Sequence, residues 1–102
     1  MSENLLNLVN TIRERKNKDK DKSYTSSLFS GGLSKCIDKM EEEFGELKEA
    51  LNDKSNEVHE AADTIYHILV TLEAANIKFE DVLQELENRK NQSGIEEKNN
   101  RK

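Results

Sequence analysis

Two short acidic clusters carry the residue types and spacing that do chemistry. The first is Glu42-Glu43-Phe44-Gly45-Glu46, and the second is Glu60-Ala61-Ala62-Asp63, with Tyr66-His67 just behind it. Within each cluster, Glu43 and Glu46, and Glu60 and Asp63, are three residues apart. On a helix that spacing points both carboxylates the same way. Two such pairs facing each other would surround a hard divalent cation with oxygen. Metal-dependent attack on phosphate is the leading reading, and a solvated acidic surface is its alternative.

The elements that would position these pairs are helices. The 102 residues are 36% charged and 33% hydrophobic, with no Pro and no Trp. Glu, Lys, Leu and Ala predominate, a balance that favours an all-α fold in one domain. Leu5, Leu8, Val9 and Ile12 predict a first helix over about Glu3 to Lys16, with Ser2 as its cap. The run from Asn17 to Lys22, N-K-D-K-D-K, reads as a solvated loop. Ser23 and Thr25 read as turn residues on the bland view, and Gly31-Gly32 as a turn before the next helix.

Helix two is expected from about Leu33 to Asn52, with Ile37, Met40, Phe44, Leu47 and Leu51 as one apolar stripe. Helix three is expected from about Asn56 to Ala75, capped by Ser55. Its second half, Ile65, Ile68, Leu69, Val70 and Leu72, is apolar round most of its circumference, so it should be central. A last helix starts at Glu80 or Asp81 and carries Val82, Leu83 and Leu86. Residues 1–90 form the domain, and 91–102 are expected to be a polar, disordered tail.

Short links make helices two and three an antiparallel hairpin, with the two acidic pairs at matched height on either side of its turn. Measured from the stripe on helix two, Lys39, Glu43 and Glu46 share a strip beside the core, while Glu42 faces outward. On helix three, Glu60, Asp63 and His67 fall within an arc of about 60°. Val70 and Ala74 continue that arc, so it is not simply solvated, and buried carboxylates need a partner. The blander readings are an ion pair from Lys39 to Glu43, a core histidine at position 67, packing by Tyr66, and helix-dipole stabilisation for Glu60.

A net charge of −5 argues against a general nucleic-acid binder. Cys36 is the single cysteine, which excludes an internal disulfide and makes it a small buried filler. With no apolar run near the ~18 residues of a membrane span, and no signal-peptide pattern at the start, a cytoplasmic protein without membrane contact is expected.

Lys39-Met40-Glu41-Glu42-Glu43-Phe44-Gly45-Glu46-Leu47, followed by Glu60-Ala61-Ala62-Asp63-Thr64-Ile65-Tyr66-His67, resembles the phosphoribosyl-ATP pyrophosphatase family. That family belongs to the all-α NTP pyrophosphatase superfamily, which also holds MazG-type enzymes. The superfamily pattern is E-E-x-x-E, then E-x-x-D on the next helix. Ser23-Tyr24-Thr25 with Leu28, the D-x-x-Y-H of Asp63 to His67, and the stretch Ile77 to Arg89 match the phosphoribosyl-ATP branch. Glu41 replaces a usual Gly and Phe44 a usual Ala; the wording from Phe44 to Leu47 is closer to MazG-type sequences.

The resemblance implies a four-to-five-helix fold built on the central hairpin and assembled as a homodimeric bundle. It implies hydrolysis of phosphoribosyl-ATP to phosphoribosyl-AMP and pyrophosphate, the second step of histidine biosynthesis. Glu43, Glu46, Glu60 and Asp63 match the Mg²⁺ ligands, and Glu42 or Glu46 is the implied general base. Lys39 is implied as a phosphate contact, Ser23, Tyr24 and Thr25 as closing over the substrate, and His67 as orienting a ligand carboxylate. With no fused cyclohydrolase domain, one step is expected. A MazG-like nucleoside triphosphate pyrophosphatase and a non-enzymatic helical dimerisation module are the alternatives.

Overall fold

A computed structural model describes residues 2–19 and 21–90. The tail expectation for 91–102 lies outside the described residues. Five helices follow in order: α1 Ser2–Arg15, α2 Tyr24–Ser30, α3 Gly32–Asp53, α4 Glu57–Ala74 and α5 Phe79–Lys90. No strand occurs among the described residues. α1 already includes Ser2, which is therefore its first residue rather than its cap.

The α3–α4 hairpin is the frame, and two buried threonines set its register. Thr64 Oγ1 donates to the Glu43 carbonyl at 3.1 Å, and Thr71 Oγ1 to the Cys36 carbonyl at 3.2 Å. Seven residues separate the two contacts on each helix, with opposite chain sense, so the helices run antiparallel. Each hydroxyl also lies 2.7 Å from the carbonyl one turn back in its own helix, at Glu60 and His67. A threonine hydroxyl inside a helix ordinarily bonds only that local carbonyl; here the same proton is shared with the neighbouring helix.

The turn is tight because Lys54 and Asn56 both take left-handed backbone conformations, with φ of 56° and 60°. The Lys54 and Ser55 amides close on the Ala50 carbonyl, ending α3. Ser55 is therefore part of the turn rather than the cap expected for α4. That place belongs to Asn56, whose side chain makes no capping bond.

The apolar core lies at the other end of the hairpin. Val9 and Ile12 of α1, Leu28 of α2, Cys36 of α3, Leu69 and Val70 of α4 and Phe79 of α5 are buried together. Phe79, not Glu80 or Asp81, opens α5. Ile12 and Val70 are each 1% exposed, and full burial of such a side chain contributes about 1.5–3 kcal/mol.

Two expectations fail in instructive ways. Thr25 lies in a helix, Tyr24–Ser30, not in a turn: the Ser23 side chain accepts from the Ser26 amide, and only Gly31 separates α2 from α3. Much of the α3 stripe is left outside the core, although Met40 and Leu47 are half-buried. Ile37, Phe44 and Leu51 remain 44%, 47% and 57% exposed, while the buried line on α3 is Cys36, Glu43 and Ala50. The stripe records an amphipathic surface that this single chain does not cover.

Candidate metal centre

Glu43 belongs to that buried line, which is an unusual place for a carboxylate. It is 8% exposed. Burial and the adjacent Glu46, through a hydrogen bond and through its charge, hold the Glu43 carboxyl above the usual carboxylate range; the charge of His67 pulls the other way and that of Asp63 adds to the rise. The Thr64 contact lines Glu60 of α4 up with Glu43 of α3. Carboxylate oxygens of Glu43, Glu46 and Glu60 come within 4.8 Å of one another.

Glu60 carries the sharpest signal. Its Oε1 is buried and has no hydrogen-bond partner among the described residues. An unpaired buried carboxylate oxygen is costly, and a cation supplied from outside would satisfy it. Donors that are all oxygen suit a hard cation such as Mg²⁺ or Mn²⁺ over a thiophilic one. The three carboxylates therefore fit a metal ion.

Asp63 stands one turn along α4. It forms a second group with Glu60 and His59 within the same 4.8 Å limit, and His59 Nε2 lies 3.2 Å from its Oδ2. Glu60 is shared by both groups. His59 was not singled out from the sequence, although its position four residues before Asp63 and next to Glu60 was the available signal. An open pocket of about 270 Å³, lined by Glu46, Glu49, Ala50, Asp53, Ser55, Asn56 and Glu60, adjoins the site at the hairpin turn.

The other sequence-marked residues take distinct places. Lys39 pairs with Glu42 at 3.4 Å, not with Glu43 as expected, because Glu43 is buried against α4 while Glu42 stays on the outer face. Glu42 is exposed on the rim. His67 is buried, and its Nδ1 donates to the Asp63 carbonyl at 2.7 Å. A carbonyl only accepts, so Nδ1 carries a proton, and Nε2 lies 3.0 Å from the Tyr24 hydroxyl. Burial raises the Tyr24 phenol above its usual range, opposed by the charge of Lys39. Thr25 is buried with its hydroxyl on Tyr66, and Ser23 caps α2. Thus α2 is fastened to α4 immediately beside Asp63.

Comparison with known proteins identifies the family. The family model for phosphoribosyl-ATP pyrophosphohydrolase matches residues 5–90. The chain is similar to the phosphoribosyl-ATP pyrophosphatase of Rhodobacter capsulatus, 42% identical over 96 residues that span 92% of this chain and 93% of the relative. It is 44% identical over 96 residues to the protein of the same name from Roseobacter denitrificans, covering 92% and 91% of the two chains. It is also 46% identical over 97 residues to the histidine biosynthesis bifunctional protein HisIE of Helicobacter hepaticus, covering 93% of this chain and 42% of that longer one. With the match running from α1 to the end of α5 and spanning both acidic clusters, the chain belongs to the phosphoribosyl-ATP pyrophosphohydrolase family.

Proposed function

We infer that the chain hydrolyses phosphoribosyl-ATP to phosphoribosyl-AMP and pyrophosphate, the second step of histidine biosynthesis. Family membership supports the reaction. The observation that carries the site is the convergence of Glu43, Glu46 and Glu60 around an unpartnered buried oxygen. Glu43, Glu46, Glu60 and Asp63 are the residues that would hold Mg²⁺. The ion, when bound, neutralises triphosphate charge and lowers the pKa of the attacking water.

The protein's own part is to place and to exclude. Thr64 holds the two helices so that Glu43 and Glu60 stay opposed. Glu46 is the better placed general base: it is exposed on the same face as Glu43, whereas Glu42 is engaged by Lys39. It would take a proton from water as the water oxygen bonds to phosphorus and pyrophosphate departs with the electrons of the broken anhydride bond. Lys39, with Tyr24 near its charge, would meet the phosphates. Ser23 and Thr25 serve the substrate by fixing α2, and His67 by holding Tyr24 against α4.

The working form is a homodimer. Leu33, Ile37, Phe44 and Leu51 of α3 and Ile65 of α4 are 40–57% exposed, an apolar face that a second copy would cover. Sedimentation as a monomer at micromolar concentration would remove this part of the proposal. No helix among the described residues is long and apolar enough to cross a membrane, and the lone free cysteine suits a reducing cytoplasm.

A pyrophosphate-release assay on phosphoribosyl-ATP and a panel of nucleoside triphosphates, with and without EDTA, tests the reading. Mg²⁺-dependent release from phosphoribosyl-ATP is expected. Strong release from dCTP or dUTP with none from phosphoribosyl-ATP would favour a MazG-like activity instead.

A further inference from the structure

The charged run between α1 and α2 is not the featureless loop its composition implies. The Lys18 amide closes on the Arg15 carbonyl at 3.3 Å, and the Lys22 amide on the Asp19 carbonyl at 2.9 Å. These turns fold the run back, so that Arg15, Lys18 and Lys22 line one open pocket of about 370 Å³ with Glu14, Ser23 and Ser26. Three cations face one carboxylate there, in a chain whose net charge is −5. None of the three has a carboxylate within 4.0 Å among the described residues.

The pocket's floor is fixed. Ser26 is 1% exposed; its hydroxyl donates to the Arg15 carbonyl at 3.0 Å and its amide to Ser23 Oγ at 3.0 Å. The adjoining residue, Tyr24, reaches His67, which in turn holds the Asp63 carbonyl. The cationic pocket and the carboxylate group therefore flank one rigid contact between α2 and α4.

We propose that this pocket is a subsite for a phosphate monoester, occupied in phosphoribosyl-ATP by the phosphate on the second ribose. The inference rests on the reading given under Proposed function. That substrate has two anionic ends. The carboxylate group accepts a triphosphate only through a cation and repels a bare phosphate. The monoester needs positive charge elsewhere, and among the pockets described here this one has a cationic majority. An ordinary nucleoside triphosphate lacks the second end, so the subsite would select between the two substrate classes.

The double variant Lys18→Glu, Lys22→Glu tests it, with Lys78→Glu, Lys90→Glu, just before α5 and at its end, as a control of equal charge change. The KM for phosphoribosyl-ATP should rise on the order of tenfold in the first and stay near wild type in the second. Ribose 5-phosphate titrated into metal-free wild type should shift the amide resonances of Lys18, Lys22 and Ser23, and lose that effect in the double variant. An unaltered KM in the double variant, or an equal rise in the control, overturns the subsite. Should inorganic phosphate bind as tightly as the sugar phosphate, the pocket is an unselective anion site and the assignment also fails. If wild type releases no pyrophosphate from phosphoribosyl-ATP, the activity reading fails, and the ribose 5-phosphate titration still decides the pocket.

Discussion

The two ends of α4 treat acidic residues in opposite ways. At the C-terminal end, Glu73 receives Arg13 Nε at 3.1 Å and Lys16 Nζ at 3.9 Å. Arg13 also grips Glu80 through both terminal nitrogens, at 3.0 and 2.6 Å, pulling the Glu80 carboxyl down to about 2. At the N-terminal end, Glu60 meets Glu43 and Glu46 with no lysine or arginine within 4.0 Å among the described residues, and Glu43 is pushed up rather than down. The sequence supplies its own cations where charge joins α1, α4 and α5. It supplies none where three carboxylates converge. The larger cavity, about 700 Å³, lies at the matched end, so size does not locate the chemistry; unmet charge does.

The strongest way to sharpen the contrast is to remove one carboxylate from each end. Glu60→Gln or Asp63→Asn should cut turnover on the order of a thousandfold and abolish the rise in Tm that Mg²⁺ gives wild type. Glu73→Gln should lower Tm and leave turnover per folded molecule near wild type.

The next effect separates the two threonines. Thr64→Val keeps shape and removes the hydroxyl between Glu43 and Glu60; Thr71→Val does the same beside Cys36. Calorimetry should find Mg²⁺ affinity about tenfold weaker in the first, near the lower end for residues that orient metal ligands, and little changed in the second. Similar affinities in the two variants would mean that the hydroxyl near the acids has no positioning role.

A smaller loss is expected from Arg13→Ala. The Arg13–Glu73 contact is partly exposed, so its removal should cost about 1 kcal/mol, a few degrees of Tm on a domain of this size, with no loss of metal affinity.

The smallest effect is a difference in sign with pH. In the metal-free protein the Glu43 carboxyl is raised in the fold, so its contribution is fully present below the unfolded value of 4.5 and is lost as pH climbs through the raised value. Glu80 is lowered, so its contribution is present above 4.5 and is lost as pH falls toward 2. Thermal melts of metal-free Glu43→Gln should lack the loss on the alkaline side, while Arg13→Ala should lack the loss on the acid side. Identical slopes in both variants would erase the distinction between the two ends.

Much of this was readable in advance. Long periodic segments gave α1, α3, α4 and α5, and the short link between α3 and α4 gave the antiparallel hairpin that brings Glu43, Glu46 and Glu60 together. α2 was hidden because seven residues, Tyr-Thr-Ser-Ser-Leu-Phe-Ser, are too few and too polar to show a period; it is held by contacts to Arg15, Tyr66 and His67 that lie far away in the chain. The α3 stripe misled for a different reason. Periodicity reports that one face is apolar, not which body covers it, and the face that meets α4 is the mixed line Cys36, Glu43 and Ala50. Only Thr64 and Thr71, polar residues with no helical preference of their own, mark that line from the other side.

The threonine pair has a further consequence for how this hairpin tolerates change in length. Both anchors sit seven residues apart on each helix. Inserting one residue between Cys36 and Glu43, or between Thr64 and Thr71, would rotate everything beyond it by about 100° and swing an acid away from its neighbours. The turn at Lys54 to Asn56 lies outside both intervals, so lineages that lengthen or shorten this protein should do so there, leaving the spacing of the anchors untouched.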